Sequence, residues 1–394
     1  MRSQKNEKFI ISYDQIKAEK MDIKPFKLER YFSLYEHNAK YSICNSDCEA
    51  MSIKDLLSLE KGAQDKFQNT WLGYTHTKGS ESLRCDISSI YNKVSSDKLI
   101  VCSGAQEPIF LFSQAVLSPG DEVIVQTPCY QSLQSVPESI GCKVLKWGVK
   151  YNGKAPGFDI DELRNMISSN TKVIFLNSPH NPTGFHFTKD EQTEIIDIAR
   201  RHNILIFCDE VYRELESSRE YALPAIADVY ENGTSIGVMS KSYGLPGLRI
   251  GWIASQNQEV LDKVAELKEY TTICNSAPSE FLAGVALRNR TQILDKNLNI
   301  VEQNLSTFRD FFEDYKELFA WNEPKAGPIT LVKMLFDSDD MLLAKRAREE
   351  KDVLILPGEI YDFPGYFRIG LGREDTPKAL IRFEEFVVES LVAR

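Results

Sequence analysis

With 394 residues, 42% hydrophobic and 26% charged, the chain has the make-up of an ordinary globular protein and is long enough for two cores. A net charge of −10 argues against nucleic acid or an anionic membrane as a partner, because both need a basic face. Eight scattered cysteines, with no CxxC pair and no HExxH, argue against a zinc site and a disulfide framework. Reduced thiols in a cytoplasmic protein are the expectation. The opening MRSQKNEKFI lacks the apolar core of a signal peptide, and no apolar run is long enough to span a bilayer.

Residues 1–40 are polar with interspersed aromatics and read as an arm plus a short helix. From about residue 98, short apolar runs alternate with amphipathic segments: KLIVCSG, the helical QEPIFLFSQAVL, then DEVIVQTP, CKVLKWGV, KVIFLNSP, ILIFCDE, SIGVM and LRIGWIAS. The runs are nearly continuous in Val, Ile, Leu and Phe, which predicts strands covered on both faces of a mostly parallel α/β sheet. Thr188-x-x-Glu191 is a capping box that opens one of the intervening helices. After residue 256 the chain turns helical and charged to about residue 320. It closes with strand-like PITLVKMLF, VLILP and YFRIGLG before a last helix. The pattern predicts a large α/β domain over 49–300, and a smaller α+β domain with an N-terminal arm from 1–48 and 301–394.

Open α/β sheets bind ligands at the carboxyl ends of their strands. Here those ends carry polar groups repeatedly: Ser103-Gly104-Ala105-Gln106, Asn181 within SPHNPTG, Asp209-Glu210-Val211-Tyr212, and Ser240-Lys241. Taken singly, each has a plain structural reading. Gly104 to Gln106 could be a turn and cap, Asn181 part of a turn, and Asp209 half of a structural ion pair. Taken together they supply a phosphate nest at a helix N-terminus, an amide, a carboxylate, a phenol and an amine. A lysine in an apolar run is costly, and desolvation lowers its pKa and makes it a nucleophile able to form a Schiff base. The set suits an aldehyde cofactor with a phosphate and a ring nitrogen.

SPHNPTG, DEVY and SKSYGLPGLRIGW, in this order, resemble the class I/II aminotransferases, pyridoxal-phosphate enzymes of the aspartate aminotransferase fold (fold type I). The resemblance spans roughly residues 70 to 390. It implies that Lys241 bonds the aldehyde of pyridoxal 5'-phosphate and later moves a proton, and that Asp209 pairs with the pyridine N–H. It implies that Asn181 and Tyr212 hold the ring oxygen, with Asn181 also beside the substrate, and that Tyr130 of TPCY stacks on the ring. Gly104, Ala105, Gln106 and Arg249 would bind the phosphate, with Ser240 next to Lys241 in the same cofactor set. Arg368 of YFRIGLG would clamp the substrate α-carboxylate bidentately. Tyr74 of WLGYTHTKGSESLR would reach the neighbouring subunit's phosphate, so a homodimer with shared active sites follows. The implied substrates are an L-amino acid and a 2-oxo acid, exchanged by amino-group transfer.

Two features depart from the family pattern. Val238 stands three residues before Lys241 where a serine or glycine is usual, which removes a hydroxyl contact to the phosphate. The N-terminal glycine motif is replaced by YSICNSDCEAMSIKDLL, residues 41–57. That segment is similar to one in capreomycidine-synthase-like members, which run elimination and cyclisation on an arginine derivative. A lyase or cyclase built on the same site is therefore the alternative expectation. A non-catalytic binding or regulatory protein is a third, and the short arm leaves no room for the basic DNA-binding domain such regulators add.

Overall fold

The computed structural model describes residues 22–152, 155–336 and 339–392. Residues 1–21, which hold most of the expected arm, lie outside this set. Each apolar run in the first two-thirds of the chain is a strand: β1 (Leu99–Cys102), β2 (Glu122–Thr127), β3 (Lys143–Gly148), β4 (Thr171–Asn177), β5 (Leu205–Asp209), β6 (Gly233–Val238) and β7 (Gly251–Ser255). They form one seven-stranded sheet in the spatial order β1-β7-β6-β5-β4-β2-β3. Every residue of β1, β6 and β7 is buried, as expected for strands covered on both faces.

Neighbours from β6 through β3 run parallel, whereas β7 is antiparallel to both β6 and β1. The connection from β6 to β7 explains this. It carries only the short turn Pro246–Leu248 and no crossover helix, so β7 returns directly beside β6. One residue, Gly251, pairs with Cys102 on one side and Val238 on the other.

Helices cover the sheet. The predicted capping box is formed: Thr188 N–H donates to Glu191 Oε2 at 2.7 Å and Glu191 N–H donates to Thr188 Oγ1 at 3.2 Å, which starts the helix Lys189–His202. Under the helix Gln106–Val116, Phe112 meets Phe207 at 4.6 Å between ring centroids, and Phe207 meets Phe175 at 5.4 Å. These rings weld helix to sheet close to the strand ends that carry the polar groups.

Four further strands, β8 (Phe319–Trp321), β9 (Ile329–Met334), β10 (Leu356–Pro357) and β11 (Tyr366–Gly370), form an antiparallel sheet in the order β8-β9-β11-β10. Two short pairs, Tyr41–Ser42 with Val353–Leu354 and Lys150–Asn152 with Ala155–Gly157, lie outside both sheets. Phe308, Phe312, Phe319, Phe367 and Phe383 pack together as the core of the four-stranded sheet. The short helix expected in the N-terminal forty residues is α1 (Lys27–Tyr35). It packs on this side of the molecule through Leu28 and Tyr31, and the Tyr31 hydroxyl donates to Ile355 O at 2.8 Å. Between the two sheets lies the site.

Candidate active site

The carboxyl ends of β1, β4, β5 and β6 open into one cavity of about 440 Å³. Ala105 and Gln106 enter it after β1, Asn181 after β4, Asp209 and Tyr212 at and after β5, and Ser240 and Lys241 after β6. Tyr130, Arg249 and Arg368 complete the wall. Ten of the twelve side chains singled out in the sequence thus share one space. Gly104 lies beneath Arg249. Tyr74 is 86% exposed and is not among the residues lining its own chain's cavity.

Lys241 reaches into the cavity and donates from Nζ to Ser46 Oγ at 2.8 Å. Burial pushes its amine below the ordinary lysine range, against the opposing charges of Asp47, Glu29 and Asp209. Asp209 is buried, accepts from Val211 N–H at 3.2 Å, and has its carboxyl pushed up to about 7 by burial. A cationic partner would bring it back to the ionised form.

The β4 and β5 ends are locked to each other. Asn177 Nδ2 donates to Asp209 O at 2.8 Å, while Asn177 Oδ1 accepts from Asn181 N–H at 2.6 Å. The Asn181 side chain then faces Arg368, with Oδ1 accepting from Arg368 Nη1 at 3.3 Å and from Tyr361 hydroxyl at 3.2 Å. That leaves Nδ2 as the end able to serve a ring oxygen.

Arg368 is 1% exposed. Its Nη1 also donates to Tyr361 Oη at 2.6 Å, and Nη2 donates to Cys44 O at 2.6 Å. Of five guanidinium N–H groups, three are engaged. Nε is buried without a hydrogen-bond partner, a costly state that an incoming carboxylate relieves.

The phosphate end is built from backbone. Gly104 has φ +71°, and a Cβ on it would collide with Arg249 Nη2. Glycine is therefore favoured by the left-handed turn, and its bare Cα leaves the space that Arg249 Nη2 occupies. Behind the turn, Glu107 accepts from Ser103 N–H at 2.6 Å, from Thr271 Oγ1 at 2.6 Å and from Thr272 Oγ1 at 2.8 Å, with buried Lys268 at 3.4 Å. Amides of the first helical turn have no intrahelical partners, and Ala105 and Gln106 at that turn line the cavity. Val238 lines the wall with an apolar side chain, as its departure from the family pattern implies.

Tyr130 stands against α1, its hydroxyl donating to Glu29 Oε1 at 3.1 Å and its ring 5.0 Å from Phe26. Ser46, Tyr361 and the Glu107–Lys268 brace were not foreseen. Tyr361 lies in the turn Gly358–Tyr361, between β10 and β11, the small-sheet strand that carries Arg368. Ser46 lies 195 residues from Lys241 and gave none.

The cavity fits pyridoxal phosphate: a glycine cradle under a guanidinium for the phosphate, a buried carboxylate for a ring nitrogen, and an amine for an aldehyde. Among the described residues no group of side chains could hold a metal ion, and no helix is long and apolar enough to cross a membrane.

The family model for aminotransferase class I and II matches residues 49–382. Capreomycidine synthase of Streptomyces vinaceus is 26% identical over 345 residues, covering 87% of this chain and 86% of that protein. Aspartate aminotransferase of Thermotoga maritima is 27% identical over 330 residues, covering 80% and 83%. A PLP-dependent aminotransferase from Streptococcus suis 89-1591 superposes with a TM-score of 0.88 at 30% identity, covering 94% of this chain and 99% of that one. A PLP-dependent cyclase, OrfR, has the same fold, with a TM-score of 0.86 at 22% identity over 95% and 99% of the two chains. The chain therefore belongs to the class I and II aminotransferase family, with the fold type I architecture and pyridoxal phosphate as its cofactor.

Proposed function

We propose that the protein transfers an amino group between an L-amino acid and a 2-oxo acid. The observation that carries this reading is the single cavity shared by Lys241, Asp209, Tyr212, Asn181, Arg249 and Arg368. When bound, pyridoxal phosphate supplies an aldehyde for the amino group and a sink for the electrons left at the substrate Cα. Arg249 and the amides after Gly104 would hold the phosphate, Asp209 the ring nitrogen, Asn181 Nδ2 and Tyr212 the ring oxygen, with Tyr130 beside the ring.

Arg368 fixes the substrate carboxylate through Nε–H and the remaining Nη2–H, which orients the Cα–H bond toward Lys241. Lys241 Nζ, kept less basic than ordinary lysine by burial, takes that proton. Its contribution is on the order of 10²–10⁴-fold in rate. Lys241→Ala is expected to lose the cofactor's yellow absorbance band and turnover together. A variant that keeps both refutes the assignment.

A second reading, elimination or cyclisation, is supported by the acidic mouth of the cavity, where Glu29 and Glu36 come from the α1 side. Carboxylates there favour a substrate with a cationic side chain. Capreomycidine synthase is among the relatives, and the segment 41–57 lines the same mouth through Asn45, Ser46 and Asp47. Incubation with single amino acids separates the two. Build-up of aminated cofactor with a 2-oxo acid supports transfer, whereas catalytic release of ammonia or of a side-chain leaving group supports the second reading.

A further inference from the structure

The segment Ile43–Glu49 is held from two sides. Toward the small sheet, Gly370 N–H donates to Ile43 O at 2.7 Å and Arg373 Nη2 pairs with Asp47 Oδ2 at 2.9 Å. Toward the large sheet, Cys48 N–H donates to Lys241 O at 3.2 Å. Three glycines make room for its backbone: a Cβ on Gly370 would collide with Asn45 O, one on Gly372 with Asp47 O, and one on Gly244 with Glu49 O. Cys44 and Cys48 are fully buried on either side of Ser46. A segment fixed this closely delivers one hydroxyl, Ser46 Oγ, to Lys241 Nζ at 2.8 Å. Tyr212 lines the same cavity beside Ser46.

We infer that Ser46 is a positioning residue for Lys241, holding the amine beside the substrate Cα whenever it is not bonded to the cofactor. A lysine stem has four rotatable bonds, and a freed amine needs an acceptor to keep it at one place. A hydroxyl is suited to this, since it accepts from Nζ and keeps its own proton free to donate elsewhere. The groups facing Lys241 besides Ser46 are Asp209 from the β5 end, Asp47 from the same segment, Glu29 from α1, Tyr212 and Arg368. None of the carboxylates substitutes for Ser46, because no other side chain has a hydrogen bond to Nζ among the described residues. The inference rests on the reading of Lys241 as the proton-moving base. That reading fails separately, if Lys241→Ala keeps both the yellow band and turnover.

The test compares Ser46→Ala and Ser46→Thr with the parent enzyme. In the holoenzyme, Ser46→Ala is expected to lower kcat about tenfold with little change in KM, and Ser46→Thr to recover most of it. In the apoprotein, the rate at which Lys241 is acylated by a small amine-reactive ester is followed against pH by peptide mass spectrometry. Loss of an acceptor disfavours the ammonium, so the midpoint moves to lower pH in Ser46→Ala and stays near the parent value in Ser46→Thr. Should Ser46→Ala fail to fold, Ser46→Thr and Ser46→Val, which differ only in the hydroxyl, carry the same comparison. Parent-like kcat and midpoint in the hydroxyl-free variant, or equal impairment with and without the hydroxyl, overturns the inference.

Discussion

Asp209 is the residue whose charge the fold makes most conditional. Burial raises its carboxyl from an ordinary 3.8 to about 7, so the folded apoprotein holds that proton more tightly than the unfolded chain does. The stabilising contribution is therefore complete below the ordinary carboxylate value. It declines as pH rises and is gone above the folded value. Relative to Asp209→Asn, apoprotein of the parent chain is expected to lose thermal stability between about pH 4 and pH 7, with a constant difference beyond. Thermal melts of the two apoproteins across that range check this, and a flat difference shows that Asp209 titrates normally. Asp209 and Lys241 were legible in the sequence because a charge inside or at the end of an apolar run needs a reason, whereas Arg368 was legible only through the family resemblance of YFRIGLG. Ser46 was not, since a serine in a polar segment is unremarked until the chain folds it against Lys241.

At the scale of elements, strand ends do the assembling. Four strands deliver their groups because a parallel sheet aligns its carboxyl ends on one edge, and this was readable from the apolar runs alone. The antiparallel course of β7 was less readable, because its run has the same composition as its neighbours. What distinguishes it is the helix-free connection before it. The small sheet contributes differently, through glycines that seat a foreign segment. Gly370→Ala is expected to destabilise the protein by about 1–3 kcal/mol, because the new methyl meets Asn45 O in a close-packed region. It should also raise KM by lifting Cys44 O away from Arg368. Chemical denaturation and steady-state kinetics on the same preparation check the pair of effects; parent-like stability would mean that the segment is free to shift. No sequence pattern announces such seating, because it depends on which backbone crosses which strand.

For the whole molecule, the exposed aromatic surface bears on assembly. Trp71, Leu72 and Tyr74 are each at least 80% exposed, and Tyr270 is 90% exposed. The two stretches are neighbours, joined where Thr75 Oγ1 donates to Asn275 O at 2.9 Å. An apolar face of this kind is costly on a lone chain and suits a second copy. With Tyr74 outside its own cavity, we expect a homodimer in which Tyr74 serves the partner's site. Mixing Lys241→Ala with Tyr74→Ala after mild dissociation is then expected to restore activity that neither variant has alone, because the hybrid holds one intact site. Recovery no greater than the sum of the two variants argues for self-contained sites.

The row in which Gly251 pairs with both Cys102 and Val238 has a metric consequence. The turn proposed to cradle the phosphate follows Cys102, and Lys241, proposed to meet the aldehyde, follows Val238. Those starting points lie two strand spacings apart, about 9–10 Å. On that proposal, the span between phosphate and aldehyde follows the repeat of a β-sheet, with main-chain bonds as the gauge.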